Sequence, residues 1–372
     1  MTRAAVMPAA PRDNDWAVQA QPLQRPRELE ELRAPWLELW EQCGDATPFQ
    51  RPEWVLGWCR HFGPPQLLSI AVWHGSRLLG LLPLFVHRQP ENGVRCLRII
   101  GDGISDYLTP LIVPGCERAV LRAVVDQLAA HQGAWDRVEL RQLDAASPLL
   151  RMALPPQWAP ELDLDAPCPI LRLPPRPELL ERLVARGLLQ TIQYCRRRVA
   201  RLGTLTYETA TPANFEALFA DFVALHSAHW ARAGDPGVLA NADVQAFHRD
   251  VARQLLDAGL LRLYVMTIEG QRVAVFYGFS SKQRTYYYLG GFDPAQPQLS
   301  LGNLIVAHAV ERAIAEGCEA FDFLRGQEAY KFRWGAVERP TYRQRWHSPA
   351  RIEIPAAGAA ANLQDSALST PH

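Results

Sequence analysis

The chain has 372 residues, 48% hydrophobic and 21% charged, and its 39 basic and 39 acidic side chains balance to a formal net charge of zero. That composition suits a globular chain with room for two ordinary domains, and the missing basic excess argues against a broad nucleic-acid surface and against DNA as a partner. Seven scattered cysteines without a Cys-x-x-Cys pair give neither a zinc site nor a disulfide framework, and predict buried free thiols.

Residues 1–25 and 353–372 are rich in Ala, Pro and polar residues and are expected to be disordered tails. Pro8, Pro11, Asp13 and Asp15 interrupt any apolar run near the start, so no signal peptide is expected. No segment reaches transmembrane length without a charge, and a cytoplasmic location is expected. The first half, residues 26–155, carries two apolar runs between Leu67 and Val86 joined by His74-Gly75-Ser76-Arg77, a hairpin pattern. A strand from Tyr107 to Val113, a helix from about Glu117 to His131 and a strand from Arg137 to Leu143 follow. Residues 156–177, with Pro156, Pro160, Pro167, Pro169, Pro174 and Pro175, read as a linker.

The second half, residues 178–350, opens with a long helix from about Glu178 to Leu202, rich in arginine at its end (Arg196, Arg197, Arg198, Arg201) and stopped by Gly203. A helix from about Pro212 to Ala233 carries His226, His229 and Trp230, and another spans about Asp243 to Ala258. Next come a hairpin over Leu261 to Phe279 with its turn at Glu269-Gly270-Gln271-Arg272, and a strand from Arg284 to Leu289. A helix from Leu301 to about Glu316 and a strand from Ala320 to Leu324 complete the order. The two halves thus repeat hairpin, strand, helix and strand, which reads as a tandem duplication of one mixed α/β unit.

Chemistry concentrates between Phe321 and Gly335. Asp322 alternates with Phe321 and Phe323, which places a carboxylate on one face of a core strand, costly unless paired or used. Glu328, Tyr330 and Lys331 follow closely; Lys331 is one of two lysines in the chain, the other being Lys282. Ser300-Leu301-Gly302-Asn303 begins a helix after a strand and a loop, with Ser300 as the expected N-cap and Gly302 allowing close backbone approach. His226 and His229 share a helix face, but no third ligand of suitable spacing is visible and no metal is expected.

Asp322-Phe323-Leu324-Arg325-Gly326-x-Glu328-x-Tyr330-Lys331 resembles the C-terminal signature of the CelD-type acetyltransferases, bacterial members of the GNAT superfamily related to the FemAB peptidoglycan aminoacyl transferases. Thr47-Pro48-Phe49-Gln50 with Trp54, Ser105-Asp106-Tyr107, the arginine-rich helix, His226 with Trp230, and Gly291-Phe292-Asp293-Pro294 also resemble that family, so the likeness covers about residues 45–347. It implies an α/β (α+β) fold of tandem GNAT-like acyltransferase domains, each a mixed sheet flanked by helices. It further implies transfer of an acyl group, acetyl in the leading reading, from acetyl-CoA or another acyl-CoA to an amine or hydroxyl. By the same resemblance Ser300, Leu301, Gly302 and Asn303, with Arg325, hold the donor, although the usual phosphate loop of GNAT enzymes is absent. Asp322 or Glu328 serves as base and Tyr330 as acid, with Lys331 in the same catalytic cluster. Asp106, Tyr107, His229 and Trp230 contact the acceptor, a small molecule or saccharide of exopolysaccharide or cell-envelope metabolism. The rival readings are an aminoacyl-tRNA-dependent Fem-type transferase, against which the neutral charge argues, and a non-catalytic GNAT-fold binding module, which the absent phosphate loop favours.

Overall fold

The computed structural model describes residues 17–64 and 66–349. The first half contains β1 (Gln19–Leu23), α1 (Pro26–Glu30), α2 (Arg33–Gln42), α3 (Pro52–Phe62), β2 (Ser69–His74), β3 (Arg77–Leu82), β4 (Leu84–Arg88), β5 (Arg95–Ile99), β6 (Leu111–Ile112), α4 (Glu117–Ala130) and β7 (Arg137–Asp144). β8 (Glu161–Arg172) leads into the second half, with α5 (Arg186–Leu202), β9 (Leu205–Thr209), α6 (Phe215–Arg232), α7 (Ala242–Asp257), β10 (Leu261–Ile268), β11 (Gln271–Ser281), β12 (Arg284–Phe292), α8 (Leu301–Ala315), β13 (Ala320–Asp322), α9 (Ala329–Arg333) and β14 (Val337–His347).

Local rules place many of these elements. The loop between β10 and β11 has positive φ at both Glu269 (47°) and Gly270 (76°), as a two-residue type I′ turn requires. Gly75, at φ 59°, occupies the first position of the loop joining β2 and β3. Asn241 caps α7 by accepting from the amides of Asp243 (2.9 Å) and Val244 (3.1 Å). Along α5, Leu188, Ile192, Cys195 and Val199 repeat at helical spacing and are buried, while the arginines between them are exposed or half-buried.

A four-stranded sheet has the order β1-β2-β3-β6, and a ten-stranded mixed sheet has the order β4-β5-β7-β14-β8-β13-β12-β11-β10-β9. In both halves an antiparallel pair is followed by a helix and a parallel strand: β4 and β5 with α4 and β7, then β11 and β12 with α8 and β13. The halves exchange strands at the centre. β14, from the second half, pairs with β7 and β8, while β8 pairs with β13. One core runs through both halves, from Trp36 and Trp54 to Phe247 and Tyr288, and a second lies between α5, α8 and the other face of the second half's strands. All seven cysteines are buried and unbonded. No helix among the described residues is long and apolar enough to cross a membrane.

Four expectations need correction. The stretch 156–177 is not a linker, because β8 fills residues 161–172 at the middle of the large sheet. Pro167 lies opposite a register shift between Arg339 and Thr341 where no ladder amide is needed, and the carbonyls of Pro167 and Pro169 accept from Gly326 (3.0 Å) and Phe323 (2.9 Å). The expected N-terminal tail is ordered at Gln19–Leu23, where β1 adds to β2; the rest of that tail up to residue 16, and 353–372, lie outside the described residues. The long opening helix is instead a 3-10 turn at Pro177–Arg182 followed by α5, the break being fixed by the amide of Ala185 bonding to the carbonyl of Arg333 (2.9 Å). Of the strand expected over 107–113 only Leu111–Ile112 forms, since Tyr107 has a positive φ of 53°.

Candidate active site

β12 and β13 run parallel for three pairs, Arg284 to Tyr286 against Ala320 to Asp322, and then part. A bulge opposite Tyr277 and Gly278 adds to the bend of β12 at this point. Beyond it no strand among the described residues pairs with β12 on that side, and a cavity of about 540 Å³ opens in the wedge. Tyr287 to Phe292 form one wall, Phe323, Tyr330 and Lys331 the other, and His226, His229 and Trp230 of α6 close a third side. Ser300 to Asn303 stand at its edge, where α8 begins.

The first turn of α8 supplies free donors. Its first backbone bond runs from Leu304 to the carbonyl of Ser300 (3.2 Å), so the amides of Leu301, Gly302 and Asn303 have no intrahelical acceptor. Ser300 sits at the N-cap in a left-handed conformation (φ 50°), yet its hydroxyl does not cap; it accepts from Asn303 Nδ2 (2.8 Å). The expected side-chain cap is therefore absent, and those amides have no acceptor among the described residues.

His226 is a cavity residue that the sequence did not single out as a site residue. It is 1% exposed, and Nδ1 meets the carbonyl of Gly290 at 2.9 Å, so Nδ1 carries the proton. Nε2 has no hydrogen-bond partner among the described residues and keeps its lone pair. Burial pushes the imidazole down to about 4, so it is neutral near pH 7. Gly291 makes this approach possible: a Cβ there would lie 2.4 Å from the backbone nitrogen of His226. In the sequence its signals were the helix face it shares with His229 and its place, with Trp230, in the family resemblance. His229 packs on Phe292 (centroids 4.2 Å apart), and burial also lowers its pKa. Tyr330 meets Phe323 edge-on, and burial raises its phenol well above the ordinary value.

The other sequence candidates are drawn into the framework. Asp322 is fully buried, lines neither large cavity, and accepts from the Tyr107 hydroxyl (2.8 Å) and the Leu324 amide (2.9 Å), with Arg284 3.7 Å away. Burial raises its pKa to about 6 against the opposing pull of Arg284 and the Tyr107 bond. Asp106, also fully buried, pairs with Arg325 at 2.9 Å, and Arg325 donates to the carbonyl of Gly103 (3.0 Å). Lys331 is 1% exposed rather than solvated, pairs with Glu328 (2.8 Å) and donates to the carbonyls of Arg325 (2.7 Å) and Leu324 (3.3 Å). Asp322 with Tyr107, and Asp106 with Arg325, thus tie the two halves together, and Lys331 with Glu328 fastens the loop after β13. Only Ser300, Leu301, Gly302, Asn303, His229, Trp230, Tyr330 and Lys331 of the expected site residues meet around the wedge. No cluster of three or more potential metal ligands occurs among the described residues.

The same span is found by comparison. Residues 186–332 match the acetyltransferase (GNAT) domain model. They run from α5 into α9 and contain every residue lining the wedge. No curated protein matches the chain in sequence. Among solved structures, FemX is similar in fold with a TM-score of 0.60 at 11% identity, covering 88% of this chain and 96% of that one. L-PGS from Bacillus licheniformis gives a TM-score of 0.54 at 13% identity, covering 86% of this chain and 91% of that one. At such identities the likeness is one of fold, and in both it spans the two halves.

Proposed function

We propose that the chain is an acyltransferase that binds an acyl-CoA, acetyl-CoA in the leading case, in the wedge between β12 and β13. The observation that carries this reading is the parting of these strands directly beside the uncapped start of α8. An extended amide-bearing arm can add to the free side of β12 as a short strand does, while the pyrophosphate meets the amides of Leu301, Gly302 and Asn303. The thioester then lies towards His226 and Tyr330.

In this mechanism the acceptor's amine or hydroxyl approaches on the α6 side. His226 Nε2 takes its proton as the nucleophile attacks the thioester carbon; the low pKa keeps the lone pair free well below neutrality. Tyr330, held protonated by burial, donates to the leaving thiolate. Asp322, Asp106 and Arg325 act as framework, and Glu328 and Lys331 hold the loop that presents Tyr330. A CelD-like role on a polysaccharide or cell-envelope acceptor fits the sequence resemblance and is part of this proposal. Isothermal titration of the full chain with acetyl-CoA tests the donor. Saturable binding that Asn303→Asp weakens supports it; no binding of acetyl-CoA, with binding of an aminoacyl-tRNA that falls steeply with salt, would replace it with the Fem-type reading.

A further inference from the structure

A second cavity, of about 370 Å³, lies between the halves and shares no lining residue with the wedge. Its walls come from both halves, with Tyr107, Thr109 and Ser147 on one side and Arg284 and Arg339 on the other. The two arginines differ. Arg339 is satisfied by a bidentate pair with Asp144, at 2.6 and 2.8 Å. The Arg284 guanidinium lies 5.9 Å from the Tyr286 ring, makes no hydrogen bond to the described residues, and its side chain is 23% exposed. Its nearest carboxylate oxygen, on Asp322, is 3.7 Å away, and that carboxylate is already engaged by Tyr107 and the Leu324 amide. A guanidinium has five N–H donors in a fixed fork, so Arg284 presents hydrogen-bond donors unused among the described residues to this cavity.

We infer that this cavity binds a small molecule bearing one carboxylate, with Arg284 as its anchor. Thr109 and Ser147 share a single hydroxyl–hydroxyl bond of 2.8 Å, which leaves one hydroxyl proton to donate to the same ligand. Charge sets the ligand class. The lining cations Arg151, Arg284 and Arg339 are matched by Asp45, Glu117 and Asp144, so the cavity has no excess positive charge to hold a polyanion. A single carboxylate takes the free fork without overturning that balance. The site stands apart from the donor wedge and holds whether or not the wedge takes an acyl-CoA.

The test is calorimetric titration of the full chain with acetate, benzoate and glycine, and with inorganic phosphate for comparison. At least one of the three monocarboxylates binds saturably. Arg284→Gln weakens it about tenfold or more, and Thr109→Asp, which adds an anion to the wall without touching the Arg284–Asp322 pair, abolishes it. Asn303→Asp in the wedge leaves it unchanged. Melting curves on the same samples verify that both cavity variants are folded. Failure of all three carboxylates to bind, binding that survives both cavity variants, or phosphate binding more tightly than any carboxylate would each overturn the proposal.

Discussion

Arg325→Met removes one member of a fully buried pair and keeps most of the side-chain volume. Asp106 is 0% exposed and pairs with the Arg325 guanidinium at 2.9 Å, so the variant leaves a carboxylate in the core without its close counter-charge, Lys331 acting on it only from a distance. Breaking such a pair costs about 3–5 kcal/mol, most of it the penalty for the stranded charge. The loss of the Arg325 bond to the Gly103 carbonyl adds about 1 kcal/mol. If the stranded charge is the cause, Asp106→Asn in the same chain should restore at least about 2 kcal/mol, a non-additive result. Acid should help too. Burial already raises the Asp106 pKa above its ordinary 3.8, and removal of Arg325 raises it further. A raised carboxylate pKa means that the native state binds the proton more tightly. Its contribution is fully present below about 3.8 and is lost as pH rises through the folded value. The Arg325→Met deficit should therefore grow from acid to neutral pH. Urea unfolding followed by the fluorescence of the 11 tryptophans measures all three chains. Equal deficits at acid and neutral pH, or a double variant as unstable as the single one, would refute the account.

His226→Gln should lower turnover by about 10²–10⁴-fold with little change in donor affinity, and the wild-type rate should fall on the acid side only as pH nears about 4; a midpoint at the ordinary histidine value would point to another group. Asp322→Asn should keep turnover per folded molecule, and its unfolding free energy should move by less than about 2 kcal/mol, because the hydrogen bonds weakened are offset by relief of a buried charge; a folded but inactive variant would return Asp322 to the chemistry. Asn303→Asp should reduce acetyl-CoA affinity about tenfold while leaving stability equal or raised by about 0.3–1 kcal/mol, as an acid at a helix start does, both read by calorimetry. Lys331→Met should cost about 3 kcal/mol in urea unfolding, since it strands Glu328 and the loop carbonyls that the amine holds.

What the sequence disclosed, and what it hid, follows the range of the interactions. The turns at Gly75 and Gly270, the helices α6, α7 and α8, and the helix start at Ser300 are set by neighbours a few residues away, and they were legible. The acidic cluster after Phe321 was visible as a cluster, but its direction was not. Whether Asp322 faces a substrate or the first half depends on Tyr107, 215 residues earlier in the chain. The same applies to Asp106 with Arg325. β8 was hidden because its prolines break the usual strand pattern, and they are tolerated there only through a bulge set by β14. His226 drew little notice since a helical histidine acquires meaning only when a strand carbonyl fixes its tautomer.

The exchange of strands at the middle of the large sheet bears on how the molecule can be assembled and divided. β14 is later in the chain than both strands it joins, so the seam between β7 and β8 stays open until almost the whole described chain has been made. The first half cannot complete its sheet as it emerges, and β13 relies on β8 from before the start of α5. A cut at residue 177 would leave each fragment with a bare strand edge, but those edges are complementary. Such fragments should be sticky alone and should recover the fold when mixed, a split-protein behaviour that follows from topology.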